Sequence, residues 1–242
     1  MKQNKFPVSK SVALLLDPDK ASGKALDKLI GIADKCHTDY IMAGGSLTFN
    51  GIGELISSVK QRTRVPVVLF PGNLLQLNTD ADIILLLSLI SGRNPELLIG
   101  NHVTAAPFLR KVRNKLVPVG YILIGCGSKT SVEYISQTEA IPEDKPEIAV
   151  ATALAGEMLG LKMIYLEAGS GSPHPVPTDV IRSVRENITI PLAVGGGLRN
   201  AEQIEKVYAA GADMIILGNG CEKNPELIEK ACKIRDRLNK AL

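Results

Sequence analysis

The chain has 242 residues, enough for two small domains or for one large α/β barrel. Its 45% hydrophobic and 22% charged residues are typical of a globular protein and exclude a disordered or collagen-like chain. The chain has 28 lysine and arginine residues against 25 aspartate and glutamate residues, and the basic residues form no block. This small excess of positive charge gives no support for nucleic-acid binding, but it is compatible with an anionic small-molecule ligand.

Four cysteines are spread over the chain without C-x-x-C spacing, at Cys36, Cys126, Cys221 and Cys232. This pattern predicts neither a structural zinc site nor a disulfide framework, so we expect a reducing, cytoplasmic location. The strongest apolar run, Ile83 to Ile90, is far too short to cross a bilayer. We therefore expect no membrane span and no export signal, and leave peripheral contact with a membrane open.

Short apolar runs recur between helix-like segments and give eight candidate strands: Ala13–Leu16, Tyr40–Met42, Val67–Phe70, Ile83–Leu87, Val119–Ile124, Met163–Leu166, Leu192–Val194 and Met214–Leu217. Continuous apolarity without alternation is typical of parallel strands covered on both faces. Helix start signals lie between them, such as the capping box at 200–203 and the Asn-Pro-Glu start at 224–226.

Eight strand–helix units in 242 residues average about 30 residues each, the size of a compact (β/α)₈ barrel. Only the twelve residues 71–82 connect the third candidate strand to the fourth, too few for a full helix with two loops. No linker marks a domain boundary. We predict an α/β protein with one domain over residues 1–242, a modified (β/α)₈ TIM barrel with an abbreviated or non-helical third crossover.

Glycines follow the sixth, seventh and eighth candidate strands, at 169 and 171, at 195–197, and at 218 and 220. Functional groups of a parallel barrel collect after the carboxyl ends of its strands, where glycine lets backbone N–H groups approach an anion. A tight turn explains any single cluster equally well, but three neighbouring clusters predict a phosphate site. We expect a side chain at Gly196 to take the space that the phosphate oxygens need.

Asp17 follows the first candidate strand directly and presents a carboxylate at the barrel rim. Mg²⁺ favours such oxygen ligands and completes its coordination with substrate phosphate and water. Ser46, after the second strand, offers a hydroxyl. The alternative for Asp17 is an Asp-Pro turn or a helix cap.

Five segments in this order resemble the geranylgeranylglyceryl phosphate synthase family of prenyltransferase barrels: Leu16-Asp17-Pro18, Ala43-Gly-Gly-Ser46, Tyr165-Leu-Glu-Ala-Gly-Ser-Gly171, Gly195-Gly-Gly-Leu198 and Gly218-Asn219. The similarity runs from about residue 12 to 230, and the string from Tyr165 is highly specific. It implies a transferase of ether phospholipid synthesis that joins the 3-hydroxyl of sn-glycerol 1-phosphate to a polyprenyl diphosphate, geranylgeranyl diphosphate above all, and releases diphosphate.

The resemblance also implies site residues. Asp17 and Ser46 would bind Mg²⁺. Residues that would bind glycerol 1-phosphate are Tyr165, Leu166, Glu167, Ala168, Gly169, Ser170, Gly171, Gly196, Gly197, Gly218 and Asn219. Strand alternation brings Tyr165 and Glu167 to one side, and we predict these two as the catalytic residues, with Glu167 accepting the proton of the attacking hydroxyl.

One departure from the family concerns Leu15, because some members carry a lysine at this position that contacts phosphate. That contact is absent or replaced here. Lys129, Arg93 and Arg110 are candidates for holding the diphosphate, although basic residues are common on barrel rims. The alternative for Glu167 is an ion pair with Lys129 or Lys20 that braces its loop. We also expect a homo-oligomer, of a size that the sequence leaves open.

The remaining polar candidates are weaker. His37, His102 and His174 share no ligand spacing, and we expect them to be structural or solvent-exposed. Cys126 and Cys221 lie near strand ends without a neighbouring base, so we do not expect a catalytic thiol.

Three alternative functions stay open. A heptaprenylglyceryl phosphate synthase would use the same site with a longer chain. A sugar-phosphate isomerase shares the glycine site but needs a second acid after the fifth strand, where this chain has Gly125 and Cys126. A barrel that binds a phosphorylated ligand without catalysis would leave two rim carboxylates, Asp17 and Glu167, unused.

Overall fold

The computed structural model describes residues 6–7, 9–20, 22–127 and 129–241. One parallel sheet contains the strands β1 (Ser11–Leu16), β2 (Tyr40–Ala43), β3 (Val67–Leu69), β4 (Ile83–Leu89), β5 (Leu116–Gly125), β6 (Ile141–Pro142), β7 (Met163–Glu167), β8 (Leu192–Gly195) and β9 (Met214–Leu217). The spatial order is 4-3-2-1-9-8-7-5, and pairing of β4 with β5 closes the barrel. Strand β6 pairs with the end of β5, outside the barrel. The predicted eight-stranded TIM barrel is confirmed.

Helices lie between the strands: α1 (Gly23–Lys35), α2 (Ile52–Arg62), α3 (Asn101–Leu109), α4 (Ser131–Ser136), α5 (Pro146–Met158), α6 (Thr178–Asn187), α7 (Ala201–Ala209), α8 (Asn219–Lys223) and α9 (Glu226–Lys240). Among the described residues, no helix is long and apolar enough to cross a membrane. The predicted cap of α7 is present, since the Asn200 side chain accepts from Gln203 N at 2.9 Å. The box is incomplete, because the Gln203 side chain accepts from Arg199 N instead of Asn200 N.

The third crossover contains only a short 3₁₀ turn, Leu74–Gln76, which confirms the expected abbreviation. The buried Gln76 side chain accepts from Gly72 N at 3.0 Å and donates to Gly45 O at 2.8 Å. One amide side chain thus satisfies backbone groups of two strand-end loops. The loops after β2 and β3 are held together at the rim.

Three aromatic rings fill the upper part of the barrel interior. Tyr121 on β5 and Tyr165 on β7 are register partners, with ring centroids 5.1 Å apart. Phe70, which follows β3, packs edge-on against both, at 5.9 Å from Tyr121 and 5.8 Å from Tyr165. Edge-to-face packing of this kind stabilises the aromatic cluster beyond simple burial of area. The cluster forms an apolar floor beneath the carboxyl ends of the strands.

Candidate active site

A cavity of about 1260 Å³ opens at the carboxyl ends of the strands. It is lined by most of the predicted site residues, namely Asp17, Ser46, Tyr165, Glu167, Gly169, Ser170, Gly171, Gly196, Gly197, Gly218 and Asn219. Leu166 and Ala168 do not line it, because their side chains pack in the core between the strands and the helices. Side chains of these two residues are therefore placed away from a ligand in the cavity.

Glu167 ends β7 with its carboxylate at the bottom of the cavity, only 7% exposed. Its Oε2 accepts a short hydrogen bond from the Tyr165 hydroxyl, and its Oε1 accepts from Gly169 N at 2.7 Å. Burial raises the pKa of Glu167 above its ordinary value, and these two hydrogen bonds lower that pKa in part. The alternative for Glu167, an ion pair with Lys20 or Lys129, is not present among the described residues, where its two carboxylate oxygens accept from Tyr165 and Gly169.

Tyr121 belongs to the site, although the sequence reasoning did not select it. Its side chain lines the polar cavity and also an apolar groove beside it. Burial, followed by the nearby charge of Glu167, raises the pKa of the Tyr121 phenol well above its ordinary value, so the hydroxyl stays protonated as a donor. The signal in the sequence was a tyrosine inside the fifth apolar run. In the structure this tyrosine is the register partner of Tyr165.

Two different structural reasons explain the glycines at the rim. Gly196 has φ +80°, and a Cβ there would lie 2.5 Å from Glu167 Oε1 and 2.8 Å from Gly169 N. A side chain at Gly196 would therefore strike the protein's own carboxylate and loop, not only the space of a phosphate. At Gly218 and Gly171, in contrast, a Cβ would meet no described atom closer than 3.9 Å, while the φ of +83° at Gly171 favours glycine there for its backbone conformation. These two positions leave the backbone open to a ligand in the cavity.

Asp17 lies half-buried on the opposite side of the cavity. Its Oδ1 accepts from Asp19 N at 3.0 Å, and its Oδ2 forms an ion pair with Lys20 Nζ at 3.3 Å. A Cβ built on Gly45 would lie 3.5 Å from Asp17 Oδ2, so the carboxylate lies against the loop that carries Ser46. The carboxylate oxygens of the nearby Asp19 accept hydrogen bonds from the backbone N–H groups of Phe49 and Asn50.

Basic side chains surround the cavity entrance. Lys20, Lys129, Arg199 and Lys223 all line it. Lys20 Nζ also donates to Asn219 Oδ1 at 3.3 Å, and Asn219 Nδ2 donates to Ser170 Oγ at 2.7 Å. This chain of contacts connects the loop of Asp17 with the glycine loops after β7 and β9. Asp17, Asp19, Glu167 and Glu222 line the same cavity, so the four basic side chains offer cations to an anionic ligand without making the whole cavity positive.

Arg93 and Arg110, the other two candidates for holding a diphosphate, do not line the cavity. Arg93 Nη1 donates to the backbone oxygens of Ile90 and Gly92, at 3.1 and 2.7 Å. Arg110 begins the exposed segment that follows α3. Neither is placed to contact a diphosphate in this cavity.

An apolar groove of about 230 Å³ adjoins the cavity where Phe70 and Tyr121 line both. The groove lies between the short third crossover, β4, α3 and α4, and leucine is its most frequent lining residue, including Leu85, Leu87 and Leu97. A full third helix would be expected to cover this side of β4. Its absence leaves an apolar channel that leads away from the polar site.

The groove also contains a histidine. His102 Nε2 lies 2.9 Å from Ser88 Oγ, and burial lowers the pKa of His102 below its ordinary value. A neutral imidazole that is hydrogen-bonded to Ser88 adds no charge to the wall of the apolar groove.

Comparison with known proteins decides the family. The model of the PcrB family matches residues 8–235. The chain belongs to the PcrB family. A geranylgeranylglyceryl phosphate synthase of Spirosoma linguale is 43% identical to it, covering 100% of this chain and 98% of the relative. The relative with the same name from Pyrococcus furiosus is 37% identical over 92% of this chain and 89% of the relative.

The solved structure of (S)-3-O-geranylgeranylglyceryl phosphate synthase from Thermoplasma acidophilum, in complex with its substrate sn-glycerol-1-phosphate, superposes with a TM-score of 0.88. It is 31% identical in sequence and covers 96% of this chain and 95% of its own. The resemblance to the geranylgeranylglyceryl phosphate synthase family is confirmed. An N-acetylmannosamine-6-phosphate 2-epimerase of Clostridium perfringens, at 13% identity and a TM-score of 0.58, shares the fold alone.

The position of Gly196 against Glu167 gives a testable prediction about stability. Gly196→Ala combines a positive φ with a contact to Glu167 Oε1, and we expect it to lower the free energy of unfolding by about 1–3 kcal/mol. The control is Gly31→Ala, since Gly31 lies inside α1 and a Cβ there would meet no described atom within 4 Å outside the helix backbone. Urea denaturation measures both; equal unfolding midpoints for the two variants would contradict the placement of Gly196.

Proposed function

We propose that this chain transfers a prenyl group, most directly geranylgeranyl, from its diphosphate to the 3-hydroxyl of sn-glycerol 1-phosphate. The observation that carries the proposal is the buried Glu167 carboxylate, which lies between glycine loops suited to a phosphate and an apolar groove suited to a prenyl chain. Two substrates of opposite polarity can meet at one base only where a polar and an apolar site join. Phe70 and Tyr121 mark that junction.

Glycerol 1-phosphate is proposed to bind at the loops after β7, β8 and β9. The open backbone at Gly171 and Gly218 accepts the phosphate, and Asn219, held by Lys20 and Ser170, closes that side. Backbone N–H groups at such strand ends bind phosphate oxygens directly. With the phosphate fixed there, the glycerol chain extends toward Glu167.

The prenyl chain is proposed to lie in the leucine-lined groove left by the short third crossover. Burying apolar surface contributes roughly 25 cal/mol per Å², which favours a hydrocarbon chain over water in this channel. A heptaprenyl chain is the alternative within the same family, and the extent of the groove would select between the two lengths.

A magnesium site at Asp17 and Ser46 is part of the proposal. One carboxylate and one hydroxyl on a solvent-accessible rim suit Mg²⁺, which takes few protein ligands and keeps substrate phosphate and water. When bound, Mg²⁺ neutralises charge on the departing diphosphate. Lys20, already 3.3 Å from Asp17, supplies the cation that Leu15 does not, and Lys129 adds a second at the same mouth.

The proposed chemistry is one substitution at the first carbon of the prenyl group. The bond from this carbon to the diphosphate oxygen breaks, and the electron pair leaves with the diphosphate. The 3-hydroxyl oxygen of the glycerol forms the new ether bond, and its proton passes to Glu167. Tyr165 acts as a positioning residue that fixes the Glu167 carboxylate, and the apolar surroundings of the aromatic cluster keep water from competing for the carbocation-like centre.

Two further proposals concern the setting of the enzyme. We place it in the cytoplasm, in keeping with its unpaired cysteines among the described residues. We also propose a homo-oligomer. Exposed apolar side chains on and beside α3, including Ile99, Val103 and Phe108, would cover each other in such an assembly.

The role of Glu167 is tested by Glu167→Gln. Losing a positioned general base costs about 10²–10⁴ in rate, so we expect the single-turnover rate at saturating prenyl diphosphate to fall in that range. Affinity for glycerol 1-phosphate should change far less, because the glycine loops are kept. The control is Glu222→Gln, since Glu222 lines the same cavity but is exposed. A drop of less than about tenfold in folded Glu167→Gln would be too small for the base.

The pH profile tests the contact between Tyr165 and Glu167. A base must be ionised, so activity falls as the pH drops through the pKa of Glu167, which burial holds above the ordinary value. The bond from Tyr165 lowers this pKa, and Tyr165→Phe should therefore move the acid limb of kcat to higher pH. An acid limb that stays in place or moves to lower pH in Tyr165→Phe would contradict the assignment.

The magnesium site is tested by Asp17→Asn, which should nearly abolish turnover while leaving the affinity for glycerol 1-phosphate intact, because the ion serves the leaving group. Titration calorimetry and rates at several magnesium concentrations measure the two effects. Asp19→Asn, in which the altered oxygens only hold backbone N–H groups, should keep the magnesium requirement. Magnesium-dependent activity retained by Asp17→Asn would refute the site.

A further inference from the structure

A second cluster of metal-ligating side chains lies outside the cavity of the proposed reaction. It consists of Cys126 directly after β5, Glu143 directly after β6, and His174 in the loop between β7 and α6. One ligand atom from each, the Cys126 Sγ, a carboxylate oxygen and a ring nitrogen, all lie within 4.8 Å of one another. None of the three lines the cavity that holds Glu167.

The histidine is oriented for ligation. His174 Nδ1 lies 3.2 Å from Pro175 O, a contact that requires a proton on Nδ1 and leaves Nε2 unprotonated in the neutral ring. Nε2 faces the cluster, 3.7 Å from Glu143 Oε2. A backbone carbonyl that holds the second nitrogen is the arrangement that fixes metal-bound histidines in proteins.

The charge around the cluster favours a cation. Burial, followed by the nearby carboxylates of Glu143, Glu167 and Glu133, raises the pKa of the Cys126 thiol to about 12. The same carboxylates that disfavour a bare thiolate would attract a divalent ion, which in turn stabilises the thiolate. The reaction proposed above makes no use of Cys126.

We propose that Cys126, Glu143 and His174 bind one divalent ion of the zinc class. Sulfur, nitrogen and oxygen donors together suit Zn²⁺ and not Mg²⁺ or Ca²⁺, which prefer oxygen alone. Tetrahedral ligation at bond lengths of about 2.0–2.3 Å needs ligand atoms roughly 3.5 Å apart. Glu143 and His174 are partly exposed and can close the remaining distance to the buried Cys126, while water takes the fourth position.

The ion would fasten the loop that follows β7. Ser172 Oγ in this loop donates to His174 O at 2.7 Å and lies 3.2 Å from Cys126 O, the second carbonyl that its single proton can reach. His174 O also lies only 2.2 Å from where a Cβ on Gly197 would be, so the same loop packs against a glycine of the proposed phosphate site. Zinc at His174 would hold that loop from its outer side.

The test uses the full chain, freed of metal with a chelator and titrated with Zn²⁺ or Co²⁺ alone. We expect one equivalent per chain, a Co²⁺ spectrum with tetrahedral d–d bands and a thiolate-to-cobalt charge-transfer band, and slower amide exchange in residues 169–172 and at His174 with metal. Cys126→Ser should remove the charge-transfer band. His174→Gln, a change at a partly exposed side chain that should not impair folding, should weaken affinity by at least about 10–100-fold.

The matched control changes another cysteine and another histidine of the chain, Cys36 and His37, which are neighbours in the sequence. Cys36→Ser/His37→Gln should bind Zn²⁺ as the unaltered chain does, since neither residue belongs to this cluster. Stoichiometry well below one, an octahedral Co²⁺ spectrum, or unchanged affinity in His174→Gln would overturn the proposal. Loss of binding in the Cys36→Ser/His37→Gln control would overturn it as well.

Discussion

Burying a carboxylate costs free energy, and the arrangement of the barrel mouth follows from how Glu167 is accommodated. Tyr165 and Gly169 each donate one hydrogen bond to it, which offsets part of that cost and fixes the carboxylate in one orientation. The backbone must turn sharply to present Gly169 N, and Gly196 must lack a side chain to leave room for Oε1. Two of the glycine loops that read as a phosphate site thus also serve the carboxylate beside it.

The shortened third crossover has a comparable effect on the other side of the mouth. Where a helix would cover β4, a 3₁₀ turn and the bridging Gln76 leave leucine side chains open to a groove. The groove meets the polar cavity at Tyr121 and Phe70, so the omission of one helix joins an apolar channel to a charged site. With a full helix in the third crossover, we would expect the barrel to have the polar cavity without the apolar groove.

Sequence alone predicted the closed barrel, because eight continuous apolar runs leave few other arrangements, and the twelve residues 71–82 could not contain a helix. Strand β5 is longer than predicted, starting at Leu116, since Pro118 ends the predicted apolar run without interrupting the pairing of β4 with β5. Tyr121 was missed because its role depends on which face of β5 meets the interior. Cys126, Glu143 and His174 have no meaningful spacing along the chain; only the short strand β6 and the loop after β7 bring them together.

This barrel joins a prenyl group to one particular glycerol phosphate. The most direct measurement is incubation with labelled sn-glycerol 1-phosphate, magnesium and prenyl diphosphates of several chain lengths, followed by extraction and analysis of the product. We expect a prenyl ether of glycerol 1-phosphate, formed best with the geranylgeranyl donor, and released diphosphate. No ether product with any donor, although the folded protein binds both substrates, would contradict it.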